Sequence, residues 1–213
     1  MAWRALVAGG TGLVGQQILR LLAADPQASE VLALVRSGLP AGVPADRVRA
    51  CRVDFDRLGE HPDWFKVDKV FCALGTTIKQ AGSQEAFRRV DFDYPLAVAK
   101  AARAGGATHL LVITALGSDA RSSVFYSRVK GELEEALKGL GFTSLTIARP
   151  SMLVGREPPR RTEGLAAKIG FLVPATWRPV HATQVAGALV AAAHASKSGV
   201  EILGNATLVR TTS

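Results

Sequence analysis

Two groups of residues have the types and spacing to do chemistry. The first is Val7-Ala8-Gly9-Gly10-Thr11-Gly12-Leu13-Val14-Gly15, an apolar strand that runs through glycines into an amphipathic helix. Gly9 lets the chain turn sharply, Gly12 lets backbone amides approach a pyrophosphate with no Cβ in the way, and Gly15 lets the helix pack tightly on the sheet. The helix N-terminus, with Thr11, Leu13 and Val14 around it, then receives the anion. The chemistry indicated is dinucleotide binding. The second group is Tyr126 and Lys130, a YxxxK spacing that puts a phenol and an ammonium on one helix face about one turn apart. In a shared pocket they form a pair for proton transfer. Taken alone, the same spacing describes a partly buried Tyr beside a solvated Lys, and the combination with the glycine turn is what makes it specific.

The end of the second strand selects between cofactors. An acid there accepts a hydrogen bond from the adenine ribose of NAD, whereas an Arg accommodates the 2′-phosphate of NADP. The sequence reads Leu34-Val35-Arg36-Ser37. Arg36 supplies a planar cation able to stack on adenine and bond phosphate, so NADP (NADPH) is expected ahead of NAD.

Behind these residues stand alternating elements. Ala5–Val7, Val31–Val35, Val48–Val53, Lys69–Leu74, His109–Thr114 and Ser144–Ala148 read as strands. Leu13–Leu22, Phe87–Arg103, Val124–Leu140 and Thr183–Ala195 have helical length and Ala/Leu-rich composition. Strand and helix in alternation imply a parallel sheet. The runs Leu6–Ala8, Val70–Leu74 and Leu110–Ile113 are continuously apolar, as expected when helices cover both faces, so an α/β fold with a doubly wound parallel sheet is predicted. Pro95 would kink or divide the helix that contains it. The stretch Arg156-Glu157-Pro158-Pro159-Arg160-Arg161 follows neither period and reads as an exposed loop, either a substrate lid or a plain solvated connection.

With 213 residues and 48% hydrophobic content the chain can bury one substantial core. A single nucleotide-binding domain over 1–213 is expected, with the substrate region drawn mainly from about 150–182. The net charge of +8 is spread singly along the chain, without a run of five like charges, so no nucleic-acid partner is expected. Cys51 and Cys72 lie in apolar strands without a CxxC spacing, and His61, His109, His181 and His194 are dispersed, so no metal site is predicted. The opening Met1-Ala2-Trp3-Arg4 leads straight into a strand without the features of a secretory signal. The longest apolar stretch, Val185 to Ala195, is short of the ~20 residues of a membrane span. A cytoplasmic protein without a membrane span is the expectation.

The glycine turn followed, after the fifth strand, by YxxxK resembles the short-chain dehydrogenase/reductase superfamily across most of the chain. Val53-Asp54, Ala73-Leu74-Gly75-Thr76 and Arg149-Pro150-Ser151 are similar to its extended and atypical branches. Cys72 to Thr77, Arg89-Val90-Asp91-Phe92-Asp93-Tyr94 and Val129-Lys130-Gly131-Glu132 resemble the atypical group of the Tat-interacting oxidoreductase. The resemblance implies that Asp54 sits near adenine, that Leu74, Gly75 and Thr76 line the cofactor, and that Pro150 and Ser151 contribute to the same site. It implies an oxidoreductase acting on a small carbonyl or alcohol, with hydride supplied by the nicotinamide and Tyr126 as general acid/base. Lys130 would favour the phenolate by its charge and bond the nicotinamide ribose. Family enzymes usually carry Ser near the end of the fifth strand. Thr114, twelve residues before Tyr126, has the same hydroxyl function and is expected to orient the substrate, with Ser118 and Ser122 as competitors. Asp91 falls where many members carry Asn in support of the Lys. Two other functions stay open: an NADP-sensing, partner-binding protein with little catalysis, and a sugar-nucleotide epimerase or dehydratase, which the short part beyond Pro150 disfavours. The helices Phe87–Arg103 and Val124–Leu140 commonly form dimer contacts in the superfamily, so a homodimer is also an expectation.

Overall fold

The computed structural model describes residues 2–155 and 174–211. Nine strands occur among them: β1 (Trp3–Ala8), β2 (Ala28–Val35), β3 (Val48–Arg52), β4 (Lys69–Cys72), β5 (His109–Ile113), β6 (Ser144–Arg149), β7 (Leu153–Val154), β8 (Val180–His181) and β9 (Gly199–Gly204). Seven form one parallel sheet in the order β3-β2-β1-β4-β5-β6-β9, while β7 and β8 make a separate short ladder. Leu6 of β1 lies between Leu32 of β2 and Val70 of β4, so β1 is flanked on both sides.

The helices used below are α1 (Leu13–Ala24), then α2 (Ile78–Ala81), α3 (Gln84–Arg88), α4 (Tyr94–Ala104), α5 (Phe125–Lys138) and α6 (Ala182–Ala195). Because side chains alternate across a strand, Ala5 and Val7 pack with Ile18 and Leu19 of α1 and Val185 and Leu189 of α6. Leu6 and Ala8 pack on the other face with Val98 and Ala102 of α4 and Leu133 and Leu137 of α5. This two-sided burial is why the strands read as unbroken apolar runs rather than as alternating patterns. The doubly wound α/β sheet predicted from the sequence is the fold observed.

Pro95 does divide the helix that contains it. The chain leaves α3 through one wide turn, Arg89–Asp93, in which the Tyr94 amide bonds the Arg89 carbonyl five residues back. It then enters α4 with Pro95 in the first turn, where a missing N–H leaves no bond unmade. The sequence reading missed β9 and the β7–β8 ladder. The stretch expected as a lid, Arg156–Arg161, lies outside the described residues.

At the end of the sheet away from the glycine turn, His109 is buried, with Nε2 3.0 Å from the Thr146 hydroxyl. Burial, reinforced by the nearby Lys69 ammonium, pushes its imidazole down to about 4. The unfolded chain takes up this proton near pH 6.5 and the folded chain does not. Stability from this group is therefore complete above about pH 6.5 and is lost as pH falls towards 4, by on the order of 3 kcal/mol. Urea unfolding between pH 4 and 7 should show that slope, and His109→Gln should flatten it. An unchanged slope in the variant would assign the acid sensitivity to other groups.

Candidate dinucleotide and proton-transfer site

The site grows out of the turn between β1 and α1. Gly9 has φ +83, and a Cβ there would meet the Ala73 carbonyl at 2.5 Å, so the turn lies directly against the chain leaving β4. The Gly12 amide donates to the Gly9 carbonyl at 2.9 Å and closes the turn. Gly12 then caps α1 without a side-chain hydrogen bond, and no acidic residue occupies the helix's first turn. The amide end of the helix dipole is thus left to an external anion. Gly15 acts from beneath: a Cβ on it would lie 2.1 Å from the Gly9 carbonyl oxygen, so only glycine lets α1 start this close to the strand.

Strand order places the opening. Connections run outward in opposite directions on either side of β1 and β4, and the crevice at such a switch point is where doubly wound sheets take ligands. A cleft of about 920 Å³ lies there. Gly9, Thr11, Gly12, Leu13 and Val14 form its floor, Arg36 and Asp54 its β2–β3 side, Leu74, Gly75 and Thr76 the edge after β4, and Thr114, Tyr126 and Lys130 its far end. The structure brings these predicted residues together. Gly15 lies outside the lining, as do Pro150 and Ser151. The Pro150 carbonyl accepts from the Leu116 amide. The Ser151 amide donates to Asn205 and its hydroxyl to the Arg178 carbonyl. Both residues tie the end of β6 to its neighbours.

Arg36, just past β2, is exposed and forms no ion pair among the described residues. Asp54 caps the 3-10 turn Phe55–Glu60 by accepting from the Asp56 amide. Tyr126 stands in the first turn of α5 with its ring 5.5 Å from that of the buried Phe87, and its hydroxyl makes no hydrogen bond among the described residues. One turn on, Lys130 is almost fully buried and its Nζ lies 2.7 Å from Asp91 Oδ1. The other oxygen of Asp91 accepts from the Thr76 amide at 2.8 Å. Burial pushes the Asp91 carboxyl above the usual range and Lys130 pulls it back. Below this pair, burial raises the Cys72 thiol to about 11, which leaves it an inert core group.

Thr114 lines the cleft, but its hydroxyl hydrogen goes elsewhere. It donates to Glu134 Oε1 at 2.6 Å, and that carboxylate is in turn held by the guanidinium fork of Arg149 from the end of β6. A carboxylate so clamped is an acceptor, so Thr114 has no hydrogen left to donate to a carbonyl. The expectation that Thr114 orients a substrate carbonyl in that way is therefore corrected. Ser118 is no substitute, since its hydroxyl donates to the Ala115 carbonyl at 2.7 Å, and Ser122 accepts from the Val124 amide, away from the lining. Sequence reading missed Glu134 and Arg149 altogether. The available signal was spacing: Glu134 follows Tyr126 and Lys130 at one further step of four on the same helix face.

Fold and cleft together define a Rossmann-type α/β protein. The same architecture recurs in MoeE5, solved in complex with UDP-glucose and NAD, at a TM-score of 0.73 and 17% identity over 94% of this chain and 75% of that one. It recurs also in the Bordetella bronchiseptica enzyme WbmG in complex with NAD, at 0.72 and 16% over 97% and 74%. Within that class, the chain belongs to the HIM1 family, whose sequence pattern matches residues 46–173. It is 35% identical to the protein HTATIP2 of Rattus norvegicus over 84% of this chain and 75% of that protein. To the mitochondrial protein FMP52 of Eremothecium gossypii it is 33% identical over 96% and 95%, and to mitochondrial fmp52 of Emericella nidulans 36% over 74% and 70%. The resemblance to the Tat-interacting oxidoreductase group thus holds. The cytoplasmic expectation does not, because the fungal relatives are named mitochondrial proteins. That expectation rested on a missing secretory signal and on no apolar stretch of membrane-span length, and neither carries information about other compartments.

Proposed function

We propose that this chain is an NADP-dependent oxidoreductase that transfers hydride to or from a small carbonyl or alcohol, with Tyr126 as general acid and base. The observation that carries the proposal is convergence: the uncapped start of α1, Arg36, and the Tyr126–Lys130–Asp91 group all open on one cleft. The residues fit the cofactor, since the glycine floor leaves helix amides for a pyrophosphate and Arg36, at the β2 end, has no ion-pair partner among the described residues. The nicotinamide, when bound, supplies the hydride. Tyr126, its hydroxyl without a hydrogen-bond partner among the described residues, delivers the proton to the carbonyl oxygen, and Lys130 stabilises the phenolate left behind. Arg36 bonds the 2′-phosphate.

The test begins with calorimetric titration by NADPH and NADH, followed by a panel of aldehydes, ketones and quinones read by nicotinamide absorbance. Selective NADPH binding with turnover supports the reading, and binding of neither nucleotide overturns it. Arg36→Ala is expected to weaken NADPH by about 10- to 100-fold, the value of one charge-assisted contact, and to leave NADH unchanged. Equal losses for both nucleotides would remove Arg36 from phosphate recognition.

One observation favours a second reading. Thr114 turns its hydroxyl hydrogen to Glu134, so the far end of the cleft presents Tyr126 as donor without a second hydroxyl donor from the β5 end. A protein that senses NADPH and does little chemistry fits that arrangement. Tight NADPH binding with no turnover across the panel would select it.

A further inference from the structure

We propose that the cleft takes an uncharged, lipophilic substrate whose apolar part lies across a rim formed by Ile78, Val124, Met152 and Trp177. This deepens the oxidoreductase reading, on which the carbonyl or alcohol beside Tyr126 rests. Two independent features carry it: the charge balance of the cleft and the placing of exposed apolar side chains.

Four of the described residues that line the cleft are charged. Arg36 and Asp54 belong to its β2–β3 side, while at the far end Lys130 and Asp91 are buried against each other at 2.7 Å. The end that holds Tyr126 therefore carries one cation and one anion, already paired. Glu134 and Arg149, behind Thr114, are paired in the same way. Lys79 and Arg121 are exposed on the chain near the opening but lie outside the lining. A carboxylate or phosphate brought to Tyr126 would lose its water and meet no unpaired cation among the described lining residues at that end, which burial makes unfavourable. An uncharged group bears no such cost.

Seven large apolar side chains are exposed among the described residues. Leu21 lies on α1, and Val200 and Ile202 on the edge strand β9. The other four gather where the cleft opens. Ile78 follows the lining residue Thr77, Val124 stands two residues before Tyr126, and Met152 adjoins the lining residue Leu153. Trp177 is brought alongside by the bonds of its neighbours, since the Arg178 carbonyl accepts from the Ser151 hydroxyl and the Val180 amide donates to the Met152 carbonyl. Val124 and Trp177 are 59% and 67% exposed. Apolar side chains held in water on separate elements around one opening gain from an apolar ligand that covers them. Leu153 and Ile113, next in the chain to Met152 and Thr114, continue the apolar surface into the cleft. Only a small molecule can lie on this rim and reach Tyr126 at once.

The test titrates the full chain calorimetrically with alkan-2-ols from pentan-2-ol to nonan-2-ol, with and without saturating NADP+. Affinity should rise by about two- to fourfold for each added CH2, the range from half to full burial of that group. Octanoate should bind at least about tenfold more weakly than octan-2-ol. Trp177 emission, read as the difference between the unaltered chain and Trp177→Phe, should move to shorter wavelength with the same midpoint. Val124→Ser is a mild probe of the rim, because Val124 is the N-cap of α5 without a side-chain bond and Ser is preferred at that place. Combined with Met152→Ser, it should weaken nonan-2-ol by about fivefold or more. An affinity independent of chain length, octanoate binding as tightly as octan-2-ol, or an unchanged affinity for nonan-2-ol in the double variant overturns the proposal. So does a dimer in light scattering that the double variant dissociates, since a second copy would then cover the rim. The chain-length and octanoate comparisons need no variant. None of these readouts needs turnover, so failure of the apolar site shows in the alkanol titrations, and failure of the oxidoreductase reading shows in the nucleotide titration and the carbonyl panel.

Discussion

Tyr126→Phe should reduce carbonyl turnover by about 1,000-fold, the usual size of a lost general acid, while NADPH affinity stays within about twofold. The structure makes this a clean substitution. The Tyr126 ring packs against Phe87, which a phenylalanine preserves, and the hydroxyl supports no bond among the described residues, so removing it leaves no buried group unpaired. Single-turnover absorbance at saturating NADPH separates chemistry from binding. Full turnover in the variant would transfer the acid role to a water or to another hydroxyl, and a parallel collapse of NADPH affinity would make Tyr126 a binding residue instead.

The second large effect concerns stability. Glu134→Ala should destabilise the fold by about 3 kcal/mol or somewhat more, in the lower part of the range for breaking a buried pair. For a chain of this size that is a drop in Tm of roughly 10 °C. Glu134 is 1% exposed and accepts from Thr114 and from both sides of the Arg149 fork. The estimate stays low because Arg149, 28% exposed, can turn to water once its partner is gone, whereas Thr114 cannot. Differential scanning calorimetry reads the shift. A change below about 3 °C would mean that desolvating the pair costs nearly as much as its attraction returns.

The parts of this molecule that were legible beforehand are those in which local sequence and global position agree. The run Leu6-Val7-Ala8 is apolar at every position because helices cover both faces of β1, and Gly9, Gly12 and Gly15 are spaced by the needs of one turn. Pro95 marked the helix break because its ring can stand only near a helix start. What stayed hidden depends on partners far along the chain. β9 is an edge strand with Val200 and Ile202 outward, too mixed in pattern to stand out. The Glu134–Arg149 clamp joins a helix to the end of a strand, and neither residue differs in type from an ordinary surface charge. Thr114 was found by its place and misread in its direction, since the spacing of a hydroxyl does not show where its hydrogen points. Asp91 was noticed only as a departure from a family pattern, and its contact with Lys130 follows from a wide turn that no local propensity announces.

The switch between β1 and β4 also bears on how the chain survives. Ala5 pairs with Lys69, so the second neighbour of the first strand arrives only after β2, β3 and their connections have been made. Contacts closed over such long intervals form late in folding. Both walls of the cleft therefore exist only in the assembled chain, and a molecule seated between them has nothing to hold in the opened one. Such a ligand at a hundred times its Kd adds about 2.7 kcal/mol to the whole fold rather than to one loop. Where proteolysis samples the opened form, the ligand supply would then govern the lifetime of the protein as directly as it governs occupancy.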